Sequence, residues 1–322
     1  LLTQIIVLLA FEDYYQGSAR IKNVTYKILM DNNTITIAFE SGELDFIVVP
    51  TASWARFKSN DEFNTYLSPT NHTSFFQVNT TRGDALADKR VRQALSYAMD
   101  REMMVIAAYD EIAQPAYSMF NADSVFGGFT VEELEAAGIP TYQYDPEKAK
   151  ALLAEAGYGD GLDIGNILCI SGSYWEKMST VFQANLADIG VKVGIEIGDS
   201  ASTRARRYEQ EYDLGNTGTS FTPEASYGYT YFRYLSDEAR AAGHRTELGL
   251  KDQALEDAYQ KALTEMNREK RREAYLELAR ILQDQQYSLH TFHKAIPYAY
   301  QKGLVCDEIN TNYYDIYKFY WK

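Results

Sequence analysis

The sequence predicts an α/β fold built on a parallel or mixed sheet, and three observations lead there. Short runs rich in Ile, Val and Tyr alternate with helical patterns, and at two places the order is strand, helix, strand. The helices carry explicit start and stop residues. No stretch reaches the roughly 20 apolar residues of a membrane helix, and no repeat, low-complexity tract or long linker interrupts the chain.

Taken in order, "TQIIVLLAF", "VTYKILM" and "DFIVVP" read as strands, and "NNTITIAFESGELD" between the last two as a short helix ending near Gly42. This first β-α-β order suggests adjacent strands of one sheet. The opening run, residues 1–11, is broken by Thr3 and Gln4 and followed by Glu12 and Asp13. It has no basic flank or small-residue cleavage site, so it reads as a buried strand rather than a signal peptide, and a chain that opens in a strand reads as part of something longer. "HTSFFQVN" is a further strand. A long helix follows, capped by Asp88, with Val91, Leu95, Ala98 and Met99 at helical spacing. Residues 109–129 read as loop. Thr130 and Glu133 form a capping box for a short helix that stops at Gly138. The clearest helix starts at Asp145 with Pro146 in its first turn and stops at Gly157. Then "GNILCI", a helix over 174–188 and "VKVGIEI" make the second β-α-β unit. "YDLGNTGTSF" reads as strand then loop, and a Tyr-rich polar stretch fills 223–249. Two helices lie near 252–266 and 268–286, and "SLHTFHKAIPYAYQ" closes the pattern as a strand.

Composition removes several functions. The net charge of −14 repels phosphate backbones, so nucleic acid is not an expected partner. The 26 Tyr suit wet clefts, since the ring is apolar and the tip polar. Cys169 and Cys306 sit in apolar runs and form no CxxC pair. They read as inert buried thiols, with a disulfide between them left open. No GxGxxG follows a strand, and there is neither a Walker loop nor a GxSxG elbow. His290 and His293 are three apart on a strand, hence on opposite faces, so no metal site and no cofactor are expected. The carboxylates cluster with Lys and Arg on helix faces, as in "NREKRREAYLELAR", and read as solvated charge pairs rather than an acid–base couple. The N-x-[ST] triplets at Asn23, Asn32, Asn71 and Asn79 read as chance.

Four segments carry a family resemblance. "DKRVRQALSYAMDRE", residues 88–102, resembles the signature V-R-x-A-x-x-x-A-x-D-R of family 5 solute-binding proteins, with Val91, Arg92, Ala94, Ala98, Asp100 and Arg101 in place and a strand ending in Asn79 before it. "YDPEKAKALLAEAGYGDG" is similar to the helix after the family's long loop. "FEDYYQG" resembles its N-P-x-Y-W segment, with Tyr15 for the Trp, and "SGELD" its S-G-E-[IL]-D turn. Order and spacing agree over nearly the whole chain.

The resemblance implies a two-lobed periplasmic-binding-protein-like fold (type II, family 5 variant), with the N-terminal part of the first lobe missing. Residues 1–71 and 294–322 would belong to lobe I, 80–287 to lobe II, and 72–79 and 288–293 would be hinge strands. It implies a non-enzymatic, monomeric, extracytoplasmic subunit, periplasmic or a cell-surface lipoprotein. Such a subunit captures a peptide-like solute by closure and hands it to an ABC permease. Alternatives are an oligosaccharide or metal-chelate solute, a sensory lipoprotein, and a hydrolase. Candidate solute contacts are Phe75, Phe76 and Phe292 on the hinge strands, Tyr174 and Trp175 after "ILCISGS", Thr219, Ser220 and Phe221 in the loop 216–224, and Arg207 for a carboxylate. One departure bears on the solute. Oligopeptide binders often hold the peptide amine with an Asp in the 216–223 loop, and none occurs here.

Overall fold

The computed structural model describes residues 4–109, 112–122, 127–220, 252–306, 309 and 315–322. In chain order the elements are β1 (Gln4–Leu9), β2 (Asn23–Ile28), α1 (Asn32–Glu40), β3 (Phe46–Val48), α2 (Trp54–Lys58), β4 (Phe63–Val78), α3 (Lys89–Tyr97) and α4 (Arg101–Tyr109). Then come β5 (Ala113–Pro115), α5 (Val131–Ala136), α6 (Pro146–Glu155), β6 (Leu162–Ile170), α7 (Tyr174–Asp188), β7 (Val191–Gly198), α8 (Ser200–Tyr208) and β8 (Leu214–Ser220). The last are α9 (Gln253–Thr264), α10 (Arg268–Gln285), β9 (Ser288–Gln301), β10 (Leu304–Val305) and β11 (Tyr320–Trp321). These fall into two compact units: Leu1–Thr70 with Ala295–Lys322, and Asn71–Lys294.

In the first unit β1 and β2 pair antiparallel as a two-stranded ribbon, and β3 pairs antiparallel with the end of β9, Phe46 opposite Tyr300. The expected β-α-β unit is therefore not one: β2 and β3 lie in different sheets, although the short helix expected between them is present as α1, started by Asp31, which accepts from the Thr34 N–H at 2.8 Å. The expected burial of the opening strand is also corrected. Ile5 through Leu9 are 43–74% exposed, because among the described residues β2 is the only strand paired with β1. A small core forms instead around Tyr298, Leu304, Ile309 and Phe319.

In the second unit the strand order is β9-β4-β8-β6-β7, with β5 on the other edge of β9. β6 is parallel to both β7 and β8, β4 antiparallel to β8, and β5 antiparallel to β9. The second β-α-β reading, β6-α7-β7, is thus present as expected. Phe75 and Phe76, neighbours on β4, serve opposite faces. Phe75 joins the apolar cluster built on α5, α9 and α10 with Met119, Leu134, Tyr275 and Leu282, while Phe76 stacks on Phe182 of α7 at 4.7 Å. Where β6 bulges, Gly165 has φ +80°, and a Cβ there would collide with the Asp213 carboxylate. That carboxylate accepts from the Asn166 N–H and pairs with Arg82, tying the start of β8 to the bulge of β6.

The long helix expected after Asp88 is two helices. The Asp88 carboxylate caps α3, and the chain then turns at Ala98. Asp100 starts α4 afresh by accepting from the Met103 N–H at 3.0 Å. The loop expected over 109–129 contains strand β5. Helix α8 has no counterpart in the sequence reading, although Asp199 caps it twice. Residues 214–220, expected to pass from strand to loop, are strand throughout because β4 pairs with them from His72 to Val78. Neither cysteine is in a disulfide; Cys169 is buried and Cys306 half-buried.

Candidate functional site

The signature segment turns out to be a folding device. Val91, Arg92, Ala94, Ala98 and Arg101 are all buried. Arg92 donates to the carbonyls of Gln285, Leu86 and Ala87. The Asn79 amide donates to the carbonyls of Gln210 and Tyr212. Nothing in this group is presented to a solute.

The side chains suited to touching a solute gather where β6 runs into α7. The turn is fixed locally. The Ser173 hydroxyl donates to the Ile170 carbonyl at 2.5 Å, and the Gly172 N–H donates to the Glu176 carboxylate at 2.6 Å. This places Tyr174 and Trp175 at the first turn of α7, with ring centres 4.6 Å apart. Tyr109 from the end of α4 lies 4.8 Å from Tyr174 and 4.9 Å from Phe292 of β9. Phe292 in turn lies 5.6 Å from Tyr174 and 6.4 Å from Trp175. Four rings from three elements thus pack edge and face into one wall. Trp175, Phe292 and Tyr109 are buried and Tyr174 is half-buried, so Tyr174 is the ring the wall shows. Burial raises the pKa of both tyrosine hydroxyls, keeping them as neutral donors.

Three histidines sit on the same two long strands, His72 on β4 and His290 and His293 on β9. Thr73 spends its hydroxyl hydrogen on the Met119 carbonyl at 2.7 Å, so His293, whose Nδ1 is 2.9 Å from the same oxygen, is the donor of that pair and carries its proton on Nδ1. Burial, with His72 nearby, pushes the His293 pKa down to about 3. His290 is also pushed to about 3, by burial and then by the Arg101 and His293 charges, and its Nε2 pairs with the Ser288 hydroxyl at 2.9 Å. His72 lies across Gly218, where a Cβ would come within 2.7 Å of its Nε2. Burial and then Lys294 lower its pKa to about 4. All three are neutral imidazoles at pH 7. Among the described residues no group of three or more His, Cys, Asp or Glu could hold a metal ion.

Of the residues chosen from sequence, the structure gathers Tyr174, Trp175 and Phe292. Phe75 and Phe76 are corrected to core residues: both are 0% exposed and filled on all sides by their own face of the sheet. Arg207 is corrected likewise. It is buried on α8 with Nη1 donating to the Asn216 carbonyl of β8, its stem occupying the space Gly215 leaves. Thr219 and Ser220 lie on β8, and their side chains, with all of Phe221, lie outside the described residues. Sequence reasoning missed Tyr109, which it placed at the start of a loop. Its helical spacing from Val105 was the available signal.

With the geometry established, similarity to known proteins defines the class. Residues 2–240 match the model of bacterial extracellular solute-binding proteins, family 5 Middle, and the chain belongs to that family. It is 28% identical over 230 residues to the nickel-binding periplasmic protein of Escherichia coli K12, a match covering 66% of this chain and 42% of that protein. It is 29% identical over 209 residues to the oligopeptide-binding protein AppA of Bacillus subtilis, covering 60% and 37%. Its fold is similar to the structure of HbpA2 from Haemophilus parasuis, with a TM-score of 0.84 and 23% identity over 99% of this chain and 62% of that one. The matches thus span less than half of the two relatives' length and under two thirds of HbpA2's. The α/β fold expected from the sequence is the fold of these two-lobed binding proteins. The family is one of extracellular solute-binding proteins rather than enzymes, and no described helix is long and apolar enough to cross a membrane.

Proposed function

We propose that this chain is the solute-capturing part of an ABC importer's binding protein, that it takes a peptide-like solute, and that Tyr174 is its contact on the second unit. The observation that carries this reading is the wall of Tyr109, Tyr174, Trp175 and Phe292, with three rings buried as backing and one half-open. An apolar wall tipped with the Tyr174 hydroxyl suits a solute that mixes apolar side chains with carbonyls. The two compact units are the two lobes, and β4 and β9, each running from one unit into the other, are the hinge strands. The protein acts as a non-enzymatic monomer outside the cytoplasm, held at the membrane as a lipoprotein or free in a periplasm, and delivers to a permease.

The missing 216–223 aspartate argues that the peptide's free amine is not the main anchor, which shifts recognition to side chains and backbone. A metal chelate is the second reading, favoured by the similarity to a nickel-binding protein. Thermal unfolding of the full-length protein separates them. A tryptic peptide pool should raise Tm by several degrees, as ligand binding to the native state requires, and Tyr174→Ala should remove most of that rise. A rise with nickel chelates and none with peptides would replace the peptide reading.

A further inference from the structure

Arg101 is buried to 3% exposure, and burial lowers its pKa to about 10. Its hydrogen bonds run to three separate segments. Nε donates to the His290 carbonyl of β9 at 2.8 Å. Nη1 donates to the Tyr142 carbonyl at 2.7 Å and to Ser96 O at the end of α3 at 3.3 Å. Nη2 donates to the Ser96 hydroxyl at 2.9 Å. Every one of these acceptors is neutral, and the Tyr117 ring lies 5.4 Å from the guanidinium. Burying a cation on neutral oxygens is costly. A residue that only needed to fill this space would be cheaper apolar.

What the fork holds together is the backing of the wall. Arg101 is the first residue of α4, and Tyr109 is the last. His290 precedes Phe292 by two residues on β9, on the same side of the strand. The far end of α4 is tied to the same strand by β5, where Pro115 pairs with Phe292 and Ala113 with Lys294. Helix and strand are therefore pinned at both ends, and the 4.9 Å contact of Tyr109 with Phe292 is set between the pins. Asp100, one residue earlier, adds a bond from its N–H to Asn185 of α7, the helix that carries Tyr174 and Trp175.

We infer that Arg101 is a positioning residue for the solute wall: its planar fork, more than its charge, sets α4 against β9 and so fixes the Tyr109–Phe292 backing on which Tyr174 and Trp175 rest. The inference builds on the solute reading of this wall, but its decisive readout needs no solute. Arg92 is the internal control. It is as deeply buried at 2% exposure, sits in the same signature, and also donates only to neutral carbonyls, yet its carbonyl acceptors lie on Gln285, Leu86 and Ala87, none of them on α4 or β9. Lysine at either position keeps the charge and loses the fork.

The test uses the full-length protein with every Trp except Trp175 replaced by Phe, Trp54 and Trp321 of this sequence among them, so that Trp175 is the single indole. Acrylamide quenching of Trp175 should rise about threefold in Arg101→Lys and stay at the background value in Arg92→Lys, with Tm lowered in both, because only the first variant loosens the wall. Half-saturation by the tryptic peptide pool should weaken roughly tenfold in Arg101→Lys alone. If peptides bind neither variant nor the background, the solute reading fails while the quenching result still decides the positioning role. Equal quenching in the two lysine variants, or no rise in Arg101→Lys, overturns it. Should Arg101→Lys not fold, Ser96→Ala removes a single acceptor of the fork. A smaller rise in the same direction supports the role, and an unchanged value overturns it.

Discussion

Strands β1 and β4 read alike in sequence and end differently. Both are runs of apolar residues bounded by polar turns, yet Ile5 through Leu9 are 43–74% exposed while Phe75, Phe76 and Val78 are 0% exposed. The difference is neighbours. β4 in the second unit lies between β8 and β9, with α10 over one face and α7 over the other, whereas among the described residues β1 pairs with β2 alone. Periodicity identifies a strand, and the number of elements packed on it decides burial.

The sharpest way to break this comparison is a pair of truncations. Phe75→Ala should cost about 3–5 kcal/mol in urea unfolding, since it empties a filled site in the larger core, while Leu8→Ala should stay within about 0.5 kcal/mol. Similar losses for the two would show that β1 is as well packed as β4.

The buried histidines give the next effect. Their native pKa values lie below the unfolded value, so the unfolded state binds protons first as pH falls. Stability is complete above about pH 6.5 and declines toward the native values of about 3 for His290 and His293. At pH 5 each should cost the protein about 2 kcal/mol relative to pH 7.5. His290→Asn should flatten the profile between these values by about that amount, and an unchanged slope would mean that His290 is protonated in the folded state.

A smaller effect is expected where one long helix was read and two were found. Asp100→Ala removes the N-cap of α4 and should lower stability by about 1 kcal/mol. A loss near zero would mean that α3 and α4 do not need a separate start.

Much of the fold was legible because its signals are local. The caps Asp88, Thr130 and Asp145, the stop at Gly157 and the β6-α7-β7 order each depend on residues a few positions apart. The misses are non-local. Residues 216–220 look like loop by composition and become strand because β4 supplies hydrogen-bond partners from far away in sequence. Phe75 and Arg207 looked suited to a solute by chemistry alone, and the core and the back of β8 claimed them. Tyr174, Trp175 and Phe292 were chosen as three separate residues. That they share one wall, and that Tyr109 completes it, follows from how α4 is pinned to β9, which no spacing rule reveals.

The central claim is that solute is captured at the Tyr174 face of this wall. The most direct measurement is Trp175 fluorescence in the single-indole background during titration with the tryptic peptide pool. A saturable change that tracks the rise in Tm, and is lost in Tyr174→Ala, is the expected result. A peptide-dependent rise in Tm with no change at Trp175 would place the solute elsewhere and contradict the account.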